Sequence, residues 1–543
     1  MFCFSRWVRR GVPLISFVAI AGCGMATVNM GDVPSADARV DVNGADSVAS
    51  DTGLDGRIAD AGSNDTSIEE TGADSLDPTD TGTDAGVDSG TSDAGVADTG
   101  SDAGTSSLCP GTTPIAEPAE QVYVAPGGND SAAGTAAAPF ATLNAAARHF
   151  PMGGTVIVRG GTYGQQSFAA RGTTGHPLFI RAATGETPIF DGSSISGTWP
   201  AVINLSAAQH VVFQGLEIRN CRTTHCTSIQ ALPATDLAIV NCHLHDIDGS
   251  AARVSGSTIR FEGNHIHDVA MANVDNVAFP TGGWPTCFGT SPNQTTPATP
   301  LTDGVVIRNN VIENCWGEGI GVWYATNAII DGNVIDNPFS VGIYMDNTSN
   351  VTVSRNFVRV VRGRSGSHGT GIEMATEHYS SMTLYPTTDI TVTNNIVVGG
   401  TGIWWWKSPE TTNVNTYQRV NVTHNTAIAT SGPAFAFQAV NAGTPTPAGC
   451  IARNNVFAET SAASLGNASG WTLTSNAWIG SRPGVAGSSD VAVMATVGTV
   501  TMATDVEPLA AVAGNGASGT GVTIDYACNP RSAATPRRGA YEF

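Results

Sequence analysis

The sequence predicts an all-β chain wound as a parallel β-solenoid, and three observations predict it. The first is a repeat. A pattern of apolar, any, apolar, two residues, Asn and an apolar pair recurs along the body. STIRFEGNHI places Asn264, VVIRNNVI Asn310, AIIDGNVI Asn333 and VTVSRNFV Asn356; ITVTNNIV, VNVTHNTA, CIARNNVF and WTLTSNAW continue with Asn395, Asn425, Asn455 and Asn476. Upstream, LAIVNCHL fits with Cys242 in the Asn place. The shortest spacings cluster near 22 residues and the longer ones are 30, 39 and 46, as expected of coils that bury an apolar face only by stacking on their neighbours. The second observation is an apolar segment about ten residues after each Asn: GIGVW, GIYMD, GIEMA, GIWWW and AFAFQ. Each turn therefore carries two or three short strands. The third is composition: 63 of 543 residues are Gly and only 13% are charged, against about 25% in an ordinary soluble domain. Such a chain suits tight bends and argues against a coiled coil, a helical bundle or a basic nucleic-acid binder. At each bend a buried amide can hydrogen-bond the next coil's backbone and its own turn, so the Asn series has a structural explanation.

Taken from the start, residues 1–23 carry Arg6, Arg9 and Arg10, an apolar run and then Ile20-Ala21-Gly22-Cys23. The run is too short to span a membrane and reads as a signal peptide. The last four residues resemble the bacterial lipobox, after which Cys23 becomes lipidated, and Gly24 behind it resembles lipoproteins sorted to the outer membrane. The expected location is thus the bacterial outer membrane or cell surface, lipid-anchored. Residues 24–108 are dominated by Asp, Gly, Ala, Ser and Thr and lack the apolar material to offset ordering entropy, so a disordered, self-repelling tether is expected. Its Asp spacing is not that of a calcium loop. The net charge of −21 resides mostly here: residues 31–108 hold 18 acids against two Arg, leaving −8 from Cys109 onward. Bulk charge therefore says little about partners. Eight cysteines remain after Cys3 and Cys23, at 109, 221, 226, 242, 287, 315, 450 and 528. An even number suits disulfides in an exported protein, with the pairing open.

The body, about residues 121–543, resembles the right-handed parallel β-helix family of pectate-lyase-like proteins. VYVAPGGNDSAAGTAAAPFATLNAAA, then GGTVIVRGGTY and TPIFDG, resemble the capped N-terminus of its secreted members, and the closing GAYEF resembles the common last strand. The resemblance implies a single-stranded solenoid of about ten coils over residues 109–543. It also implies a short capping helix from Pro139 to Phe150, with Phe140 and Leu143 covering the first coil's open edge.

In a solenoid, insertions mark the working face. Here coils lengthen after the second strand, over residues 280–302, 375–388, 407–417 and 441–449, all at one corner, where they would wall a groove. Alternation sends Ile320, Val322, Ile343, Met345, Ile372, Met374, Ile403 and Trp405 inward. The outward set is Trp323, Tyr344, Asp346, Glu373, Trp404 and Trp406, with Lys407 just beyond. Aromatic faces beside carboxylates suit a sugar polymer, so the expected partner is a polysaccharide, bound by a monomer. For members of this fold that cleave uronic polymers, the resemblance implies β-elimination, with calcium or Arg neutralising the substrate carboxylate and Lys or Arg as base. Lys407, the single Lys against 24 Arg, is the base candidate because an ammonium's pKa falls readily on desolvation. Asp346, Glu373 and Glu377 are the candidate calcium ligands. Arg253, two or more coils earlier, would extend the subsites. Neither the paired-Asp pattern of polygalacturonase-like hydrolases nor the metal motif of alginate and chondroitin lyases occurs. Two other readings stand beside the lyase. One is a non-catalytic glycan-binding or adhesive protein. The other is an inverting hydrolase using Asp346 and Glu373, a diagonal of about 8 Å on adjacent rungs. Finally, HLHD (His243 to Asp246) and HIHD (His265 to Asp268) share a register, so His243 should stack on His265 and His245 on His267, a candidate transition-metal cluster.

Overall fold

A computed structural model describes residues 109, 114–276, 286–291, 302–361, 369–377, 385–406, 417–437, 446–459, 469–480 and 482–542. The repeat becomes three parallel sheets whose strands follow one another coil by coil. The first sheet climbs from Gln121–Val124 to Trp471–Thr474, the second from Gly161–Tyr163 to Val491–Val493, and the third, of six strands, from Thr286–Gly289 to Phe435–Phe437. Strand ladders reach beyond the Asn repeat at both ends. In the early coils, long strands replace pairs of short ones: Gln166–Arg171 pairs with the first half of Ala201–Gln214 and Leu178–Ala182 with the second. Later coils break at this point, where Tyr324 sits at φ 49° between Glu318–Trp323 and Ala325–Asp331.

The core is a set of stacked apolar rows, as the alternation requires. Ile320, Ile343, Ile372 and Ile403 lie in register, with Val322, Met345, Met374 and Trp405 beside them, all buried. Each such aliphatic side chain contributes about 1.5–3 kcal/mol.

The Asn series forms a continuous buried ladder. The backbone N–H of Asn333 donates to Asn356 Oδ1 at 2.9 Å, while its Nδ2 donates to Ile307 O and to Asn356 Oδ1, both at 2.9 Å. The same links run from Asn264 through Asn310, Asn356, Asn395, Asn425 and Asn455 to Asn476. Asp490 ends the series: it accepts from Asn476 N at 2.9 Å and from Trp478 Nε1 at 3.0 Å. An acid suits a final rung, which only needs to accept. Cys242 holds the Asn place upstream: its backbone N–H donates to Asn264 Oδ1 at 2.9 Å, and its thiol donates to Val240 O at 3.4 Å. The residue before each Asn turns the chain with positive φ, supplied by Asn309, Gly332, Asn394 and Asn454 but also by Arg355 and His424. Arg355 is unusual in that region, and both it and His424 are fixed by long-range bonds. Arg355 Nε donates to Asp331 Oδ1 at 2.9 Å, and His424 Nδ1 lies 2.9 Å from Arg537 O.

The capping helix is Leu143–His149, started by Thr142, whose Oγ1 accepts from Ala145 N at 3.1 Å. It begins later than 139 because Phe140 is still bonded to the first strand, its N–H donating to Tyr123 O. Phe140 and Leu143 are buried against the first coils. The closing segment corrects an expectation: Ala540 and Tyr541 form no strand. They pack with Val506, Leu509 and Ala513, around the helix Glu507–Ala513, against Ile396, Val456 and Ile479 of the second sheet. Among the described cysteines the pairs are Cys109–Cys528, Cys221–Cys226 and Cys287–Cys315, with Cys242 and Cys450 free and buried. Insertion 280–302 is not all loop either, since it contains Thr286–Gly289, the first strand of the third sheet, fastened by Cys287 to the following coil.

Candidate active site

The outer face of the third sheet gathers most of the candidate residues. Register places Tyr344 beside Glu373 and Glu373 beside Trp404, with Trp323 beside Asp346 two residues on. Asp346 stands opposite Ala375, so it and Glu373 are on adjacent rungs, two residues apart. This face is separate from the core: Val341, Tyr344 and Ala375 cluster with Trp323 and Trp406, whereas the Ile and Met rows belong to the main core. Tracing the Tyr344 row backwards gives Gly321, Gly289 and, through the Val254 to Thr290 bridge, Arg253. Arg253 therefore shares the row, three coils before Tyr344. Its guanidinium lies 4.9 Å from the Trp199 ring centre and donates to Gln230 Oε1 at 3.1 Å, and burial holds its pKa below the usual guanidinium value.

The face is covered rather than open. Tyr344, Asp346 and Glu373 are buried, while Trp323, Trp404, Trp406, Arg253 and Glu377 are half-buried. Residue 377 is folded back onto the strands: its N–H donates to Asp346 Oδ1 at 2.7 Å, and its Oε1 accepts from Tyr344 OH at 2.9 Å. Asn347 Nδ2 ties both sides, donating to Asp346 Oδ1 at 2.9 Å and Glu377 O at 2.8 Å, while its Oδ1 accepts from Tyr385 N. Glu373 is 5% exposed, and its Oε2 has no hydrogen-bond partner among the described residues. Burial pushes its pKa to about 8, Glu377 adding repulsion against a hydrogen bond from Thr370. A carboxylate held in so dry a place is protonated at neutral pH.

Glu318 joins this group and was not among the expected residues. Its Oε2 accepts from Thr286 Oγ1 at 3.0 Å. Burial drives its pKa well up, with Glu377, Glu373 and Asp346 repelling it further. Period-2 alternation from Ile320 would turn residue 318 inward, but Val341, at the same register one coil later, belongs to the outer cluster. The bend entering the strand shifts the alternation. The available signal was the polar Glu318 ahead of GIGVW, where later coils have Val341 and Thr370. Lys407, and insertion residues 407–416, lie outside the described residues, as do Cys23 and the rest of 1–108.

The two His-Asp strands lie on the second sheet, away from this face. Register pairs His243 with His265 and His245 with His267, as the spacing requires. Burial and the three neighbouring imidazoles push His243 down to about 4.

Parallel coils, three sheets and a buried Asn ladder define a parallel β-helix protein. The chain has the fold of the right-handed parallel β-helix proteins, and two of its segments match models of such regions. Residues 122–284 match the model described as "Pel9A-like, right handed beta helix region", and residues 298–417 match "Right handed beta helix region". Among curated proteins, pectate lyase PEL9 of Emericella nidulans is 34% identical over 117 residues, 19% of this chain and 28% of that protein. The uncharacterized protein YwoF of Bacillus subtilis is 26% identical over 153 residues, 28% of this chain and 29% of that protein. The chain thus spans less than a third of the length of either relative. Of the solved structures, pectate lyase Pel9A aligns with a TM-score of 0.40 at 15% identity, covering 78% of this chain and 97% of that one. PfbA, a surface adhesin of Streptococcus pneumoniae, aligns at 0.44 and 12%, covering 62% and 79%.

Proposed function

We propose that this protein is a lipid-anchored surface protein that binds an acidic polysaccharide across the outer face of the third sheet and cleaves it by β-elimination. The convergence of Glu318, Asp346, Glu373 and Glu377 beside Trp323, Tyr344, Trp404 and Trp406 carries this reading, and the likeness to a pectate lyase supports it. Calcium fits the donor set. All four acids offer hard oxygens, one of them the buried and unpartnered Glu373 Oε2, and a divalent cation would relieve the burial and mutual repulsion that raise Glu373 and Glu318. Asp346, Glu373 and Glu377, with Glu318, would hold it, and when bound it would neutralise a uronate carboxylate and acidify the neighbouring C–H. Lys407, two residues beyond Trp405, takes that proton on Nζ as the carbon–carbon double bond forms and the glycosidic C–O bond breaks, the leaving oxygen taking a proton from water. Trp404 and Trp406 stack on sugar faces, and Arg253 pairs with a substrate carboxylate further along the row.

The burial of Glu373, whose Oε2 has no hydrogen-bond partner among the described residues, favours a hydrolase as the second reading, because burial raises a carboxyl's pKa toward that of a general acid. Incubation with pectate, alginate and chondroitin, with calcium and with chelator, separates the readings. Calcium-dependent ultraviolet absorbance of unsaturated uronate supports the lyase. Reducing ends without that absorbance support the hydrolase, and binding without either leaves an adhesive glycan binder. Loss of lipid labelling in Cys23→Ala tests the anchor.

A further inference from the structure

On the outer face of the second sheet, two successive rungs present four imidazoles. The strands His243–Ile247 and His265–Val269 pair in parallel, Leu244 and Ile266 pointing into the core and the histidines away from it. Because parallel rungs are about 4.8 Å apart, identical residues at one register bring their rings face to face. His243 and His265 stack at 5.0 Å between centres with planes 1° apart, and His245 and His267 at 4.8 Å and 15°. Across the diagonal, His243 Nε2 lies 2.8 Å from His267 Nε2. One ring nitrogen from each of His243, His265 and His267 falls within 4.8 Å of the others.

The surroundings orient these nitrogens. His267 Nδ1 is 2.8 Å from Asp268 Oδ2 and His245 Nδ1 is 2.7 Å from Asp246 Oδ2, so each carboxylate holds a proton on Nδ1, and in His267 this turns Nε2, with its lone pair, toward His243. Metal-binding histidines are ordinarily held by carboxylates in this way. Glu313 Oε2 lies 2.8 Å from His265 Nε2, which leaves the Nδ1 of that ring for an ion. His245 Nε2 is buried without a hydrogen-bond partner among the described residues, 3.5 Å from Glu217 Oε1. Glu217 itself accepts from Arg219 Nη1 at 2.7 Å. The 2.8 Å pair requires one of its two Nε2 atoms to carry a proton. With His267 protonated at Nδ1, that atom is His243 Nε2, and moving its proton to Nδ1 frees both lone pairs. An ion at about 2.0–2.1 Å from each nitrogen in a tetrahedral site needs them roughly 3.3 Å apart, an opening of about half an ångström from the distance present.

We propose that His243, His265 and His267 form a transition-metal site of the zinc class that fastens two adjacent coils on the face of the second sheet. Imidazole donors select zinc, nickel or copper over calcium and magnesium, so this site is chemically distinct from the carboxylate group on the third sheet.

The test uses the full chain without a polyhistidine tag, stripped with chelator and titrated with zinc alone and with cobalt as a spectroscopic probe. The expected results are a single saturable zinc equivalent, a cobalt spectrum of tetrahedral nitrogen ligation and a zinc-dependent rise in melting temperature. His267→Ala should weaken zinc binding by roughly 100-fold or more, and Asp268→Asn, which keeps all four imidazoles, by about 10–100-fold. His149→Ala, outside the cluster, should bind as the parent does. Circular dichroism checks the fold of each variant, and Asp268→Asn carries the test should His267→Ala not fold. Absence of saturable zinc binding, or zinc affinity equal to the parent's in both His267→Ala and Asp268→Asn, overturns the site.

Discussion

Replacing Glu373 by Gln removes the ionisable group while keeping nearly the same shape, and the structure sets the size of the effect. In the unfolded chain Glu373 loses its proton near 4.5, while in the folded protein burial, with repulsion from Glu377, moves this to about 8. Between those values the native state keeps a proton that the unfolded state has released, so stability falls as pH rises. The loss is absent below about 4.5 and complete above about 8. At 1.36 kcal/mol per pH unit it approaches on the order of 5 kcal/mol, an upper bound that local relaxation reduces. Glu318, raised in the same direction, adds to the slope in both proteins. The assay is thermal melting at a fixed scan rate from pH 5 to pH 9 in the presence of chelator. Parent and Glu373→Gln should melt alike near pH 5 and diverge above it, with the variant the more stable at pH 8.5. Calcium should then raise the parent more than the variant, since only the parent gains a ligand. Parallel pH profiles, or a variant less stable than the parent at pH 8.5, would refute the assignment of a buried protonated carboxyl.

The Asn ladder gives a second expectation. Asn356→Ala removes the partner that Asn356 supplies to Asn333 N, Asn333 Nδ2 and Ile330 O, and three buried polar groups at about 1–3 kcal/mol each predict a loss of roughly 3–9 kcal/mol. Hydrogen exchange should show it concentrated on the neighbouring coils, and a change below about 1 kcal/mol would contradict it. In the lyase reading, Lys407→Ala should lower turnover by about 10²–10⁴-fold with polymer binding retained, so full activity in that variant removes Lys407 as base. Trp404→Ala should weaken polymer retention in affinity electrophoresis by roughly 3–10-fold, the loss of one stacked ring, and unchanged mobility would argue against a sugar-binding role.

Much of this architecture was legible because a solenoid turns tertiary neighbours into a sequence period. Coils that repeat the same residues place Asn310 against Asn333 and His243 against His265, so a one-dimensional pattern states the register directly. The inward Ile and Met rows, the outward position of Trp323, Tyr344, Asp346, Glu373 and Trp404, and the membership of Arg253 in their row all follow from it. What the pattern could not carry lies where the period breaks. At the bend before Glu318 the alternation shifts, so a residue that counting turns inward stands with the acids. The pairing of Cys109 with Cys528 joins parts of the chain that no repeat relates, and Ala540 and Tyr541 lie on the second sheet's outer side instead of adding a strand to it. The same holds for the chemistry of the site. From the sequence by itself, Asp346 and Glu373 were two outward acids on neighbouring rungs; the fold buries both, with residue 377 bonded back onto Asp346 and Tyr344. The physical reason is that register depends on which residues repeat, whereas a carboxyl's protonation depends on everything that excludes solvent around it, and that is assembled from segments far apart in the chain.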